Sequence, residues 1–312
     1  MRTCARLLPL LASALFLSGC FYVGDWGVGD AYHEDFHSTH ALSPGGRISV
    51  ESFNGSIEVM GWEQNSVEVN GTKYAATKGE IDDLKIDVNS TPGSIRIRAV
   101  RPSDRFHHSG VRFSIRVPHK SILDPISSSN GRIQVEDVEG NVRLHTSNGT
   151  IRISRLKGDA DVRTSNGTIE AHDMEGNGNF HTSNGSIRAE ASHGSFEAGS
   201  SNGSIIARLT DPTTNWPVRV ESSNGHIELT MDAKQLPEVR ASTSNSSIQL
   251  RLPRTASARV RARTRHASVT SEFDELRSEN DRKHSELDGT IGRGGPLIEL
   301  SSSNGSIKIL KL

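Results

Sequence analysis

Asn-Gly recurs along this chain at Asn54, Asn130, Asn148, Asn166, Asn184, Asn202, Asn224 and Asn304, usually after Ser and before Ser or Thr and then Ile. Asn245-Ser246-Ser247-Ile248 is a degenerate copy, and His266-Ala267-Ser268-Val269 a more degraded one. Four consecutive intervals, from Asn130 to Asn202, are 18 residues, and the next three are 22, 21 and 21. Intervals of 38 residues separate Asn54 from Pro92 (in Pro92-Gly93-Ser94-Ile95), Pro92 from Asn130, and His266 from Asn304. A fixed period of this length marks stacked structural units, none of which can bury its apolar face alone.

Within each unit the apolar residues alternate, which is the signal of a half-buried strand. Before the turn, positions −6, −4 and −2 from the Asn read Val142-Leu144-Thr146, Ala160-Val162-Thr164 and Val218-Val220-Ser222. After it, positions +3 and +5 read Ile151-Ile153, Ile169-Ala171 and Ile227-Leu229. Buried parity changes from even to odd across the Asn-Gly, so the chain bends there. Glycine is expected at the bend because it tolerates a positive φ. A further marker at +8 and +10 (Val138 and Gly140, Leu156 and Gly158, Met174 and Gly176) predicts a second corner.

Two architectures fit: a parallel β-solenoid with one coil per repeat, or an antiparallel meander in which each Asn-Gly is a hairpin turn. Hairpins would set His145 against Arg152, His181 against Arg188 and Glu221 against Glu228. Stacked coils instead align Arg152, Glu170 and Arg188, which alternate in sign. Like charges directly opposite each other are unfavourable, so the solenoid is preferred. The same stacking superposes the Asn side chains into a ladder of amide hydrogen bonds. Ser-Asn-Gly is read as a corner set first, and as a row of sugar-binding side chains second.

The N-terminus bears on compartment. Arg2 and Arg6 precede an apolar run from Leu7 to Leu17, too short to span a bilayer and shaped like a secretory signal. Leu17-Ser18-Gly19-Cys20 resembles the lipobox of bacterial lipoproteins, which implies cleavage before Cys20 and acylation of its thiol. Phe21 does not resemble an inner-membrane retention signal, which favours the outer membrane. Cleavage would also remove Cys4, the only other cysteine, leaving no internal disulfide. With 36 basic and 37 acidic residues, the chain is no general polyanion binder, and no nucleic-acid partner is expected.

The segment Phe53-Asn54-Gly55-Ser56-Ile57-Glu58-Val59, followed by Gly61-Trp62-Glu63 and Val67-Glu68-Val69, resembles the opening of a bacterial putative-adhesin family classed as a domain of unknown function. Ile115-Arg116-Val117-Pro118 and the serial Ser-Asn-Gly repeats look like its continuation. The resemblance covers roughly residues 45–312. It implies a single-stranded right-handed β-solenoid exported to the envelope, and it brings no catalytic residues.

Several constellations were weighed for chemistry. His33-Glu34-Asp35-Phe36-His37 matches H-E-x-x-H, in which two histidines one helical turn apart hold zinc. Glycines at 24, 27 and 29 and Pro44-Gly45-Gly46 argue against the helix this needs, so His33, His37 and His40 are candidates for adventitious metal binding only. His107-His108 reads as loop. Arg259, Arg261, Arg263 and Arg265 alternate with smaller residues and form a basic stripe if the segment is a strand. That stripe can meet phosphates or carboxylate-bearing glycans, or can simply discourage edge-to-edge aggregation. Trp216, in the enlarged corner Asp211–Pro217, is the first contact candidate, because loops on a rigid scaffold carry binding.

The expectation is therefore an all-β, single-stranded parallel β-solenoid of about ten coils. Residues 1–19 are the signal peptide, 20–45 a polar tether, and 46–312 the solenoid, with insertions near 60–90, 100–112, 211–217 and 272–295. The functional expectation is a cofactor-free, non-enzymatic binding, adhesin-like or scaffold module, tethered to the membrane through Cys20 and meeting a surface glycan or an envelope protein. The alternatives are an envelope-stress or signalling accessory that contacts a membrane partner, and a carbohydrate-active β-helix enzyme.

Overall fold

The protein, seen in a computed structural model, is described over residues 32–101, 109–276 and 285–312. The chain alternates between two 13-stranded sheets, which face each other across one continuous core. We call them leading and trailing, for the strands before and after the Asn corner. In the central coils a leading strand such as Ala160–Thr164 runs into the corner, and a trailing strand such as Ile169–Glu175 runs out of it. Equivalent strands of successive coils pair in parallel, with Ile151 beside Ile169 and Ile169 beside Ile187. In each sheet two strands are antiparallel caps, which leaves eleven stacked coils among the described residues. This is the expected parallel β-solenoid.

Register follows from burial. The isoleucines at +3, from Ile133 through Ile248 and on to Ile307, form one column with no member more than 1% exposed. Each contributes about 1.5–3 kcal/mol relative to an exposed position, and a slip of one residue would turn the column outward. The opposed charges fall into line as the pattern predicts. Arg152 Nη2 lies 2.7 Å from Glu170 Oε2, and Glu170 is beside Arg188 in register.

Coil order departs from chain order at both ends. The coil containing Asn54 (Gly46–Glu51 and Ile57–Trp62) is not terminal. It is sandwiched between the Asn130 coil and an outer coil made later in the chain by Ser94–Val100 and Gly110–Pro118. At the other end the last segment, Leu297–Ser302 and Ile307–Lys311, inserts between the Asn245 coil and the earlier Ala258–Thr264 and Val269–Ser271. Pro92-Gly93 is therefore not a copy of the Asn corner. It joins the antiparallel strands Lys85–Thr91 and Ser94–Val100, and its place in a 38-residue spacing is incidental.

The polar stretch expected as a tether is partly strand. Tyr32–Ala41 pairs antiparallel with Ser66–Ala75, which pairs antiparallel with Gly110–Pro118, and together they extend the trailing sheet beyond its outermost coil. At the opposite end Glu286–Ile291 covers the edge of Ala258–Thr264. The trailing sheet ends there in a strand of only three residues, Val269–Ser271, and a short edge of this kind gives little template for pairing with other chains.

Candidate functional site

The two edges of the flattened solenoid are built differently. Along the first edge the Asn side chains form a continuous ladder. Asn148 Nδ2 donates to Asn130 Oδ1 at 2.7 Å, and the pattern continues through Asn166, Asn184, Asn202, Asn224 and Asn245 to Asn304. Asn130 donates in turn to Asn54, and Asn54 ends the row on the Ser109 carbonyl at 2.9 Å. Beneath the ladder a buried hydroxyl at −2 links neighbouring coils. Thr182 Oγ1 accepts from its own coil's Gly185 N–H and donates to Gly167 O of the preceding coil, both at 3.1 Å.

This geometry corrects the reason for the glycine. From Gly131 to Gly225, and at Gly305, the corner glycines do not have positive φ. A Cβ on Gly185 would instead lie 1.7 Å from Gly167 O, so only a hydrogen fits between stacked backbones. Gly55 is the exception at φ +107, and there the row of buried hydroxyls breaks: Ser128 Oγ has no hydrogen-bond partner among the described residues. Positive φ belongs to the second edge. Asp137, Arg155 and Asp173, at +7, have φ of 58°, 52° and 51° and insert a bulge that turns the +8 residues Val138, Leu156 and Met174 inward. In the next coil the register shifts so that Ala191, at +7, stands beside Met174.

The second edge also carries the variable loops. Asp211–Pro217 connects the trailing strand Ile205–Thr210 to the leading strand Val218–Ser222. Its base is held on both sides: Thr213 N–H donates to Gly194 O at 3.1 Å, and Asp211 N–H donates to Asp232 O at 3.1 Å. Its tip presents Trp216, 66% exposed and the most exposed large apolar side chain among the described residues. The indole stands out from the rack rather than packing over a coil end.

The arginine stripe is real but largely neutralised. Ala258–Thr264 is a strand, and the antiparallel cap Glu286–Ile291 sets acids against it. Arg263 Nη2 lies 2.8 Å from Glu286 Oε1, and Asp288 lies 3.4 Å from Arg261 and 3.8 Å from Arg259. Three of the four cations thus hold the cap in place, an arrangement the sequence hid because the acids come from the charged insertion downstream. Arg265 lies past the strand end and has no ion-pair partner among the described residues.

His33 and His37 lie on an extended strand, not a helix. Four residues of strand separate their backbones by about 13 Å, too far for the shared ion that H-E-x-x-H implies. His37 Nδ1 is 2.8 Å from Asn70 Oδ1, and His40 Nε2 is 3.1 Å from Ser38 Oγ. Among the described residues no group of three His, Cys, Asp or Glu side chains is placed to hold a metal. Cys20 and the signal segment, and His107 and His108, lie outside the described residues.

Some of the carboxylates on the outer faces sit between arginines. Asp124 bonds Arg47 and Arg143, and Asp161 lies 3.7 Å from Arg143 and 3.1 Å from Arg163. The Arg155 guanidinium, which also bonds Glu136, holds the Asp137 carboxyl below the usual carboxylate range by hydrogen bonding. Asp137, so held, stays ionised and is a poor proton donor near neutral pH.

Residues 47–310 match the Toastrack DUF4097 family. The chain belongs to that family. Similar solved structures include a putative adhesin from Bacteroides fragilis, 13% identical, covering 89% of this chain and 97% of that one with a TM-score of 0.37. Another from Parabacteroides distasonis is 10% identical, covers 91% and 98%, and has a TM-score of 0.34. A putative cell adhesion protein from Clostridium sporogenes is 10% identical, covers 89% and 100%, and has a TM-score of 0.23. No curated protein matches the sequence.

Proposed function

We propose that this Toastrack chain is a non-enzymatic binding module of the cell envelope, lipid-anchored at Cys20, whose Asp211–Pro217 loop contacts an envelope polymer or protein. The observation that carries the reading is Trp216: a large, exposed indole on a loop whose base is pinned to two neighbouring coils. An aromatic held out on a rigid base loses little conformational freedom on binding, and tryptophan is enriched at binding hot spots. The lipobox-like Leu17-Ser18-Gly19-Cys20 supports the anchor.

The test uses the full chain in its native membrane. Metabolic labelling with a palmitate analogue should mark the wild type and not Cys20→Ala. Crosslinking and co-sedimentation with purified envelope fractions should recover a ligand, and Trp216→Ala should weaken its capture at least fivefold while leaving the melting temperature unchanged. Full retention of capture in Trp216→Ala would sink the assignment of the loop. Capture of a signalling membrane protein alone would favour the accessory role over a polymer-binding one.

A further inference from the structure

The row of outward side chains at −3 on the leading sheet is bulky through most of the solenoid, with His145, Arg163, His181 and Glu221 among its members. Near the C-terminal end it changes. Glu221 stands beside Ser242, Ser242 beside Ser301, Ser301 beside Arg263, and Arg263 beside Glu286. Two adjacent serines between larger neighbours leave a trough about 10 Å across, two strand spacings wide. It exists because the last segment of the chain inserts Ser301 between Ser242 and Arg263. The resulting cleft is about 470 Å³, within the roughly 300–1,000 Å³ range of small-molecule sites.

The walls carry a consistent chemistry. The next row toward the corner runs Ser244, Ser303, Arg265, with Arg265 N–H donating to Ser303 O at 3.2 Å. Where the coils from Asn130 to Asn245 and the Asn304 coil place serine at −1, the outermost coil places this guanidinium, and it lines the cleft. On the same side, two residues back, stands the Arg263–Glu286 pair, whose cation is already matched, and Glu221 forms the opposite rim. The cleft therefore combines a cation that has no ion-pair partner among the described residues with hydroxyls that can donate or accept, and it has no apolar platform among its lining residues.

We propose that this cleft binds a sugar ring bearing an oxyanion: Arg265 takes the carboxylate or phosphate, and Ser242, Ser301 and Ser303 take ring hydroxyls. Arginine suits such groups because its planar donors match two oxygens at once. The cleft is too large for a bare anion and too polar for an acyl chain. The site rests on the binding-module reading but is separate from the Trp216 loop, which lies on the other edge.

The test is titration calorimetry of the full chain in detergent with four probes: glucuronic acid, glucose 6-phosphate, glucose and inorganic phosphate. One or both charged sugars should bind, and which one does distinguishes a carboxylate from a phosphate source. Glucose and inorganic phosphate should bind at least tenfold more weakly. Arg265→Gln should weaken the charged sugar tenfold or more, and Ser301→Leu should fill the trough and abolish binding. Thermal melts of each variant check folding, and Arg265→Lys, which keeps the charge, should recover part of the affinity. Equal binding of glucose, equal binding of inorganic phosphate, insensitivity to Arg265→Gln, or no binding of any probe would each overturn the proposal. Envelope capture through Trp216 would survive those outcomes, so failure of the cleft and failure of the binding-module reading are distinguishable.

Discussion

The two edges of this solenoid do opposite things with the same chain. At the Asn edge every coil from Asn130 to Asn224 turns in the same way, and three elements repeat: an amide ladder outside, a buried hydroxyl beneath it, and a backbone approach that leaves no room for a Cβ. At the opposite edge the turn is made by a bulge at +7 and a glycine at +10 in three coils, and by other means in later ones. Gly158 and Gly176 have φ of 149° and 134° there, so conformational freedom, absent as the reason at the Asn corner, operates on the other side. Nearly all variation in repeat length falls at this second edge, including the seven-residue connection from Asp211 to Pro217. The Asn edge acts as a spine that keeps coils in register, which leaves the other edge free to vary.

The largest test of that asymmetry is insertion. One extra residue after Asn184 would turn Ile187–Ser192 inside out relative to its neighbours, and no cooperative melt is expected by circular dichroism. One residue after Thr214, in the exposed loop, should change stability by less than about 0.5 kcal/mol. Equal damage at the two sites would erase the distinction between the edges.

Gly185→Ala comes next. Its Cβ would meet backbone on the preceding coil at 1.7 Å, and neither strand can retreat without breaking its own ladder. Overpacking of this kind costs about 3 kcal/mol or more, read from denaturant unfolding. Thr182→Val should follow at about 2 kcal/mol, because it strands two buried backbone groups while preserving shape. Thr182→Ser should restore most of the loss, as Ser200 fills the same role in the next coil.

Asn184→Ala removes two ladder bonds from an exposed row and should cost about 1 kcal/mol. A loss as large as that of Gly185→Ala would mean that the amide ladder, not close stacking, organises the spine. The smallest effect is on the second edge, at Asp137. Its carboxyl titrates below its ordinary value of 3.8 in the folded chain, so its pairing with Arg155 stabilises the fold above that value and is lost as pH falls through the lowered one. Wild type and Asp137→Asn should therefore differ slightly in melting temperature at neutral pH and converge in stronger acid. The pair is exposed, which keeps the difference small.

Much of this architecture was legible in the residues. Alternation on both sides of Asn-Gly specified strands, the change of parity located the corner, and Arg152-Glu170-Arg188 favoured stacking over hairpins. The ladder and the second corner at Gly140, Gly158 and Gly176 follow from local pattern, whereas the exposure of the Trp216 indole came only from the structure. The arginine stripe was legible as a strand but not as a capped one, because Glu286 and Asp288 reach it only through the antiparallel return of the chain. His33 and His37 misled by spacing, since four residues mean one turn in a helix and about 13 Å in a strand.

The sequence by itself therefore determined the unit: a two-strand coil with a fixed inward face and a corner that accepts only a small residue. These are short-range matters of side-chain parity and backbone contact. Only the tertiary structure decided the order of stacking. Every coil offers nearly the same Ile column and the same Asn to its neighbours, so local pattern cannot say which coil lies beside which. At the N-terminal end the chain lays the Asn54 coil, adds a coil outside it and crosses to its other side, and at the C-terminal end it passes one place by and returns to fill it, so the Asn54 and Asn304 coils lie between strands from elsewhere in the sequence. The return at the C-terminal end sets Ser301 between Ser242 and Arg263, and so forms the cleft that Arg265 borders.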